Sequence, residues 1–183
     1  LCKRAVEINN GVVEVCVFKC RMEGFDAVKI PETFSGLDFW GRCSAFWKNR
    51  MVEAWGPRGG IPRFYRKSIL ERVAFNDGLR FWEDMELYQR LKSKGLREAW
   101  CKGRVRHYEN GSLGAAVRKY VSYGQSVSSF GSNPEKAPIA PTFKLTLSTL
   151  GEMLRRPGRS FSVFFGCLFL VAVKSLSMAL GLL

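Results

Sequence analysis

The sequence predicts an α/β protein, because β-rich runs alternate with segments whose apolar residues recur at helical spacing. Residues 12–18 are mostly β-branched and are typical of a buried strand. Residues 83–94 place apolar side chains at three- and four-residue steps, which predicts an amphipathic helix. A chain of 183 residues is also long enough for one domain with its own core.

The N-terminal elements follow from the same rules. Residues 1–9 are expected to form a helix that Gly11 ends before the strand at 12–18. Residues 34–55 are aromatic and basic, which favours a helix with a wide apolar face. Residues 61–66 read as a short extended piece, and Ser68 is expected to cap a helical turn that reaches residue 73.

The C-terminal elements are predicted in turn. The acidic helix is expected to end before Gly95, which suits its C′ position. Residues 97–107 should be extended, with a turn near 102–103, and a helix should follow from Ser112 to about residue 130. The expected organisation is therefore one domain over residues 1–131, a linker over 132–142, and an amphipathic helix followed by an apolar helix over 143–183.

Composition limits the function classes. The formal charge is +13, from 29 basic and 16 acidic residues, and favours polyanionic partners such as nucleic acid, anionic lipid or diphosphate-bearing substrates. The six cysteines form no C-x-x-C pair and no cluster around the single histidine, His107. We therefore expect reduced thiols in a cytosol-facing protein, and no zinc site.

The last 23 residues, 161–183, are almost wholly apolar, and about 20 residues suffice to cross a bilayer as a helix. Lys174 is the one charge in this run and would be costly at the bilayer centre. A spanning helix and an in-plane or hairpin anchor are both open, and membrane association of either kind is favoured over a buried helix of a soluble protein. Arg155, Arg156 and Arg159 precede the run and indicate that its N-terminal flank faces the cytoplasm.

The adjacent carboxylates Glu83 and Asp84 fall in the first turn of the acidic helix, directly after Phe81 and Trp82. Free backbone N–H groups and the helix dipole favour negative charge there. A carboxylate that stays ionised and aimed suits a general base or a cation-binding group. The alternative is that both residues are ordinary N-terminal helix charges.

Three segments occur in one order: residues 62–77, residues 83–95, and His107 followed by the helix with Arg118, Lys119 and Tyr120. This set resembles the C-terminal half of a family 2 glycosyltransferase with the GT-A (Rossmann-like) fold. The family carries an E-D-x-[DE]-L-x-x-R-L-x-x-x-G motif, which residues 83–95 match. The resemblance covers roughly residues 60–130.

The family's D-x-D metal motif occurs nowhere in these 183 residues. The resemblance therefore implies a partial GT-A domain, the acceptor side without its nucleotide-binding half, and we expect such a fragment to be inactive alone. The complete enzyme is expected to need a divalent metal, Mg²⁺ or Mn²⁺.

The resemblance also implies roles for individual residues. Asp84 would be the general base on the acceptor hydroxyl, and Glu83 would orient the acceptor or support Asp84. Arg90 would structure the site or bind diphosphate, unless it is a surface arginine. His107 would approach the metal or the diphosphate, unless it is a hydrogen-bonded histidine at a strand end.

Three further residues are candidates for substrate binding. Arg63 and Arg66 are expected to line the acceptor groove. Trp82, next to Glu83, is a candidate surface on which a sugar or an isoprenoid stacks.

The function that these expectations describe is a membrane-associated inverting glycosyltransferase. It would transfer a sugar from a nucleotide-sugar donor to a lipid-linked or cell-envelope saccharide acceptor, with its catalytic part in the cytoplasm. One alternative is a basic nucleic-acid-binding module, which the aromatic and basic residues at 39–55 would support, although no known nucleic-acid motif accompanies them and no nucleic-acid partner is expected. The other alternative is a noncatalytic protein that binds anionic membranes.

Overall fold

The computed structural model describes residues 6–8, 11–56, 60–77, 83–109, 111–128, 139–155 and 160–182, without the side chains of 6, 139–145 and 182. The described helices are α1 Val12–Arg21, α2 Phe39–Trp55, α3 Lys67–Arg72, α4 Glu83–Ser93, α5 Leu113–Ser128, α6 Ile139–Arg155 and α7 Phe161–Leu182. The described strands are β1 Val6–Ile8, β2 Ala27–Lys29, β3 Glu32–Gly36, β4 Phe64–Tyr65, β5 Glu98–Trp100 and β6 Val105–Glu109. The protein is mixed α/β, as predicted.

The described strands form two three-stranded sheets. One has the order β1-β6-β3, with β6 antiparallel to β1 and parallel to β3. The other has the order β4-β2-β5, with β2 antiparallel to β4 and parallel to β5. His107 lies on the central strand of the first sheet, opposite Val6 on one side and Phe34 on the other.

The first two predicted elements are wrong, because the helix and the strand are exchanged. Residues 6–8, expected in a helix, form β1, and residues 12–18, expected in a strand, lie in α1. Val12, Cys16 and Cys20 recur every four residues and are the buried face of α1. This helical burial pattern outweighs the β propensity of the valines, because Val13 and Val15 remain exposed.

The helix predicted from residue 34 begins later. Residues 34–36 belong to β3, and α2 starts at Phe39 after the N-cap Asp38, whose Oδ1 accepts a hydrogen bond from Gly41 N at 2.6 Å. A Cβ at Gly36 would lie 2.0 Å from the backbone N of Arg42, so only glycine fits at this crossing.

The helices around the acidic motif are close to their predicted bounds. α3 is capped by Arg66 rather than by Ser68, which lies inside the helix. α4 spans Glu83–Ser93, and Gly95 follows it with φ +81°, the left-handed conformation expected of a C′ glycine. α5 also lies within its predicted bounds.

Three apolar clusters hold these elements together. One joins α1 to β2 and the segment after β5, a second joins α3 to α4, and the third packs α7 and α6 against α2 and the start of α5. α6 begins at Ile139, so the last residues of the predicted linker, 139–142, belong to this helix, while residues 131–138 lie outside the described part of the chain.

Candidate functional site

Glu32, the first residue of β3, connects two of the residues that the sequence singled out. Nε2 of His107 lies 2.8 Å from Glu32 Oε1, across the parallel pairing of β3 with β6. The ring of His107 stacks on Phe34, with centroids 5.1 Å apart and planes at 17°. The imidazole is therefore held in position on one face and at one nitrogen.

Arg63 approaches the same carboxylate from the segment before β4. Its Nε lies 2.9 Å from Glu32 Oε1, and its Nη2 donates to Glu32 Oε2 at 3.1 Å. The two contacts make a forked arginine–carboxylate pair, which fixes the orientation of the guanidinium. The remaining nitrogen, Nη1, lies 3.5 Å from Asp84 Oδ2.

Asp84, Arg63, Glu32 and His107 therefore form a continuous polar row, which we call the Glu32 cluster. Three of its four members were predicted site residues, and they come from α4, the segment before β4, and β6. Glu32 was not predicted. The sequence signal that could have revealed it is an acidic residue at the start of a partly buried strand.

Asp84 is the accessible end of the Glu32 cluster. Its side chain is 51% exposed, and its Oδ1 accepts a hydrogen bond from Met85 N at 2.8 Å in the first turn of α4. Glu83 opens the same helix and is half-buried. The predicted position of both carboxylates at the start of a helix is confirmed, whereas Trp82 lies outside the described residues.

Arg90 and Arg66 are directed elsewhere. The Nη2 atom of Arg90 donates to Glu86 Oε2 and to the carbonyl oxygen of Ala74, both at 2.8 Å, so Arg90 ties α4 to the segment before it. The hydrogen bond with Glu86 raises the pKa of Arg90. Arg66 donates from Nη2 to the carbonyl oxygen of Cys20 near the end of α1. These contacts are structural, and a substrate role for either residue stays a prediction.

Tyr65 lies in β4, two residues after Arg63 of the Glu32 cluster, and its hydroxyl stays protonated at neutral pH. Burial and the neighbouring Tyr88 and Asp84 raise its pKa to about 12. At neutral pH its hydroxyl is therefore available as a hydrogen-bond donor.

A cleft of about 290 Å³ adjoins the Glu32 cluster. Glu32 is one of its lining residues, together with two tryptophans and three cations, namely Trp55, Trp100, Lys29, Lys102 and Arg104. The cleft residues other than Glu32 come from β2 and the turn after it, from the end of α2 and the segment that follows it, from the end of β5, and from the segment between β5 and β6. None of them was a predicted site residue.

The donor atoms of the Glu32 cluster do not suit a divalent cation. Nε2 of His107 and the guanidinium of Arg63 both occupy the Glu32 carboxylate, and the positive guanidinium opposes a second cation there. Among the residues that the structure describes, no three His, Cys, Asp or Glu side chains come together as they would around a metal. The expected divalent metal stays a prediction, and no chemical step is assigned to it.

A second polar network joins the domain to α7. Lys174 of α7 is 7% exposed, and its Nζ lies 3.4 Å from Ser44 Oγ on α2. Ser44 donates to Glu109 Oε2 at 3.2 Å, and Lys48 donates to Glu109 Oε1 at 2.7 Å. The one charge of the apolar tail is thus buried in the domain.

Comparisons with known proteins give no relative of this chain. No family model matches it, and no curated protein and no solved structure is significantly similar to it.

Proposed function

We propose that this chain is the acceptor side of a membrane-associated inverting glycosyltransferase that uses a nucleotide-sugar donor and a lipid-linked or cell-envelope saccharide acceptor. The Glu32 cluster carries the proposal. Asp84 and His107 belong to separate segments of the resemblance, and the cluster connects them through Arg63 and Glu32. This contact between two segments of the resemblance supports the proposal.

In the proposed reaction, Asp84 takes the proton from the acceptor hydroxyl. The acceptor oxygen then forms a bond to the anomeric carbon of the donor sugar, while the bond from that carbon to the diphosphate oxygen breaks on the opposite side. Asp84 lies in the first turn of α4, where backbone N–H groups and the helix dipole favour negative charge. Arg63 orients Asp84, and Glu32 with His107 holds Arg63 in place.

The nucleotide, the leaving diphosphate and the expected Mg²⁺ or Mn²⁺ would bind to a region with a D-x-D motif, which these 183 residues do not contain. The arginines at 155, 156 and 159 support a cytoplasmic position for the catalytic part. Cytoplasmic placement also fits the free, buried state of the described cysteines.

Membrane association has a physical basis in α7, which over Phe161–Gly181 is long and apolar enough to cross a bilayer. One face of α7 is buried against the domain, through Cys167, Leu170, Lys174 and Ser177. The opposite face, which we call the outer face, exposes large apolar side chains, namely Phe161, Phe165, Phe169, Leu176 and Leu180. A helix with one face on a domain and the other apolar suits a position in the membrane surface, so we favour this arrangement over a spanning helix.

Substitution Asp84→Asn tests the proposed chemistry. The protein expressed from its natural gene, in membranes, is assayed for transfer from radiolabelled nucleotide sugars to lipid and saccharide acceptors. Removal of a general base typically lowers turnover by about 10²- to 10⁴-fold, and the fold should be unchanged because Asp84 is largely exposed. Glu23→Gln, which removes an exposed carboxylate on the far segment after α1, is the matched control. Wild-type turnover by Asp84→Asn would remove this residue from the mechanism.

The position of α7 is tested by cysteines introduced at Ser175 and Phe169. Ser175 is exposed at mid-helix, on the edge of the outer face. A water-soluble maleimide should label Ser175→Cys but not Phe169→Cys in vesicles if α7 lies in the surface. Protection of both positions would instead indicate a spanning helix.

A noncatalytic role in binding anionic membranes is the second candidate, favoured by the outer face of α7 together with the charge of +13. Vesicle binding without any donor-dependent transfer by the natural gene product would favour this candidate over the transferase.

A further inference from the structure

The cleft beside the Glu32 cluster has the chemistry of a ligand site. Its volume of about 290 Å³ is at the small end of the range for ligand pockets, which begins near 300 Å³. Such a space suits the end of a saccharide better than it suits a drug-sized molecule. The cleft is also lined by apolar side chains, namely Ile30, Pro31 and Val52.

The charge of the cleft favours an anion. Lys29 pairs with Glu98, whose Oε1 lies 3.2 Å from its Nζ and also pairs with Lys92. Glu32 is paired with the guanidinium of Arg63 and is also in contact with His107. Lys102 and Arg104 are exposed, and no carboxylate in the described part of the chain pairs with either one. These two cations are therefore available to a ligand.

The two tryptophans supply ring faces. Trp100 ends β5 with 39% of its surface exposed, and Trp55 ends α2 with its ring close to Gly60. A Cβ at Gly60 would lie 3.8 Å from two atoms of the six-membered ring of Trp55, so Gly60 lies beside this indole. Indole faces pack against apolar surfaces such as the C–H face of a sugar ring.

We propose that the cleft is an acceptor subsite for an anionic saccharide, with Lys102 and Arg104 binding a carboxylate or phosphate group and Trp100 and Trp55 packing against sugar rings. This inference rests on the proposed function, because it names the class of acceptor. The position of the cleft supports it, since Glu32 belongs both to the cleft and to the row that ends at Asp84. A saccharide bound there would extend along that row toward the proposed base.

Isothermal titration calorimetry on the purified protein in detergent tests the subsite. The probes are tri-galacturonic acid for a carboxylate, glucose 1-phosphate for a phosphate, and maltotriose as the neutral control. We expect at least one anionic probe to bind more than about tenfold tighter than maltotriose, with an affinity that falls as salt increases.

Variants locate the binding. The double variant Lys102→Gln/Arg104→Gln and the single variant Trp100→Ala should each weaken binding about tenfold or more. Lys94→Gln, which removes an exposed cation after α4, is the matched control and should bind like the wild type. Trp100→Phe keeps an aromatic ring and guards against misfolding of the alanine variant, so it should retain most of the affinity.

Three outcomes would overturn the subsite. The first is equal affinity for neutral and anionic probes. The others are a loss of affinity in Lys94→Gln as large as that in the double variant, and an unchanged affinity of the double variant. Tighter binding of uridine diphosphate than of either saccharide, lost in the same double variant, would also overturn it in favour of a nucleotide site.

The subsite and the proposed function can fail separately. Saccharide binding without any transfer activity would contradict the transferase function but not the subsite. Transfer exclusively to neutral acceptors would contradict the subsite but not the transferase function.

Discussion

His107 and Glu32 are hydrogen-bonded at 2.8 Å although they are 75 residues apart in the chain. The parallel pairing of β3 with β6 creates this contact, because it sets Glu32 beside Val105 and Phe34 beside His107. A strand register therefore decides which side chains meet in the Glu32 cluster.

The first prediction concerns Glu32→Gln. Loss of the carboxylate removes the forked pair with Arg63 and weakens the contact with His107, and the side chain of Glu32 is 11% exposed. We expect the free energy of unfolding to fall by about 1–2 kcal/mol, since Arg63 is partly solvated. Urea unfolding measures this change. Glu71→Gln breaks an exposed pair with Lys67 and should change stability by less than about 0.5 kcal/mol; an equal loss in both variants would contradict a special role for Glu32.

The second prediction concerns the contact between α5 and α7. A Cβ at Gly124 would lie 2.1 Å from the carbonyl oxygen of Met178, so Gly124→Ala must push the two helices apart. We expect this overpacking to cost about 1–3 kcal/mol. Thermal unfolding in one fixed detergent measures it.

Gly151→Ala is the matched control for Gly124→Ala. Gly151 also lies in a helix, but a Cβ there would meet nothing within 4 Å. Alanine should therefore stabilise α6 by about 0.5–1 kcal/mol. The same sign of change in both variants would show that the packing of α5 on α7 differs from the described one.

The third prediction concerns cysteine reactivity. Burial and the neighbouring Cys101 and Cys20 raise the pKa of Cys16 from 9.0 to about 12, and burial also raises the pKa of Cys20. The thiolate is the reactive form, so the reactive fraction of Cys16 at pH 8 should fall by roughly a thousandfold. Iodoacetamide labelling, read by peptide mass spectrometry, should be slow in the native protein and fast in urea. Rapid native labelling of Cys16 would show that α1 does not pack as described.

The fourth prediction concerns acid stability. Glu98 is partly buried, which disfavours its charge, but hydrogen bonds from Lys92, Tyr88 and Lys29 hold its pKa below the usual 4.5. A carboxylate with a lowered pKa stabilises the fold above the pKa of the unfolded chain, and this contribution is lost as pH falls through the folded-state pKa. Glu98→Gln should therefore be less stable than the wild type at pH 7, and should lose less stability between about pH 5 and pH 3.

Denaturant unfolding across that pH range measures the effect of Glu98→Gln. Glu23→Gln removes an exposed carboxylate outside this network and should keep the wild-type pH dependence. If the free energy of unfolding falls equally with pH in the wild type and in Glu98→Gln, another acidic group is responsible for the loss of stability.

Local patterns predicted the elements whose stability is local. α4, α5 and the left-handed Gly95 follow from helical periodicity and capping rules, which act within a few residues. The prediction of a strand at residues 12–18 is wrong because it rests on valine content, which favours a strand. The four-residue spacing of Val12, Cys16 and Cys20 instead gives α1 its buried face.

The site was predictable only in part for the same reason. Asp84 could be predicted because it lies in a recognisable motif, and His107 because it is the single histidine. The surroundings of Glu32 and Trp100 come from strand pairing between distant segments, so no motif assigns either residue to a site. Contacts of this kind depend on the register of whole strands, which one sequence does not reveal.

The buried position of Lys174 has a practical consequence for handling the protein. Deleting the apolar C-terminal segment to obtain a water-soluble protein would also remove α7, which packs against α2 in one of the apolar clusters. Ser44 would lose its contact with Lys174, and aromatic side chains of α2 would be exposed to water. Shortened versions ending before Phe161 should therefore precipitate, and detergent or lipid should be kept with the intact polypeptide throughout purification.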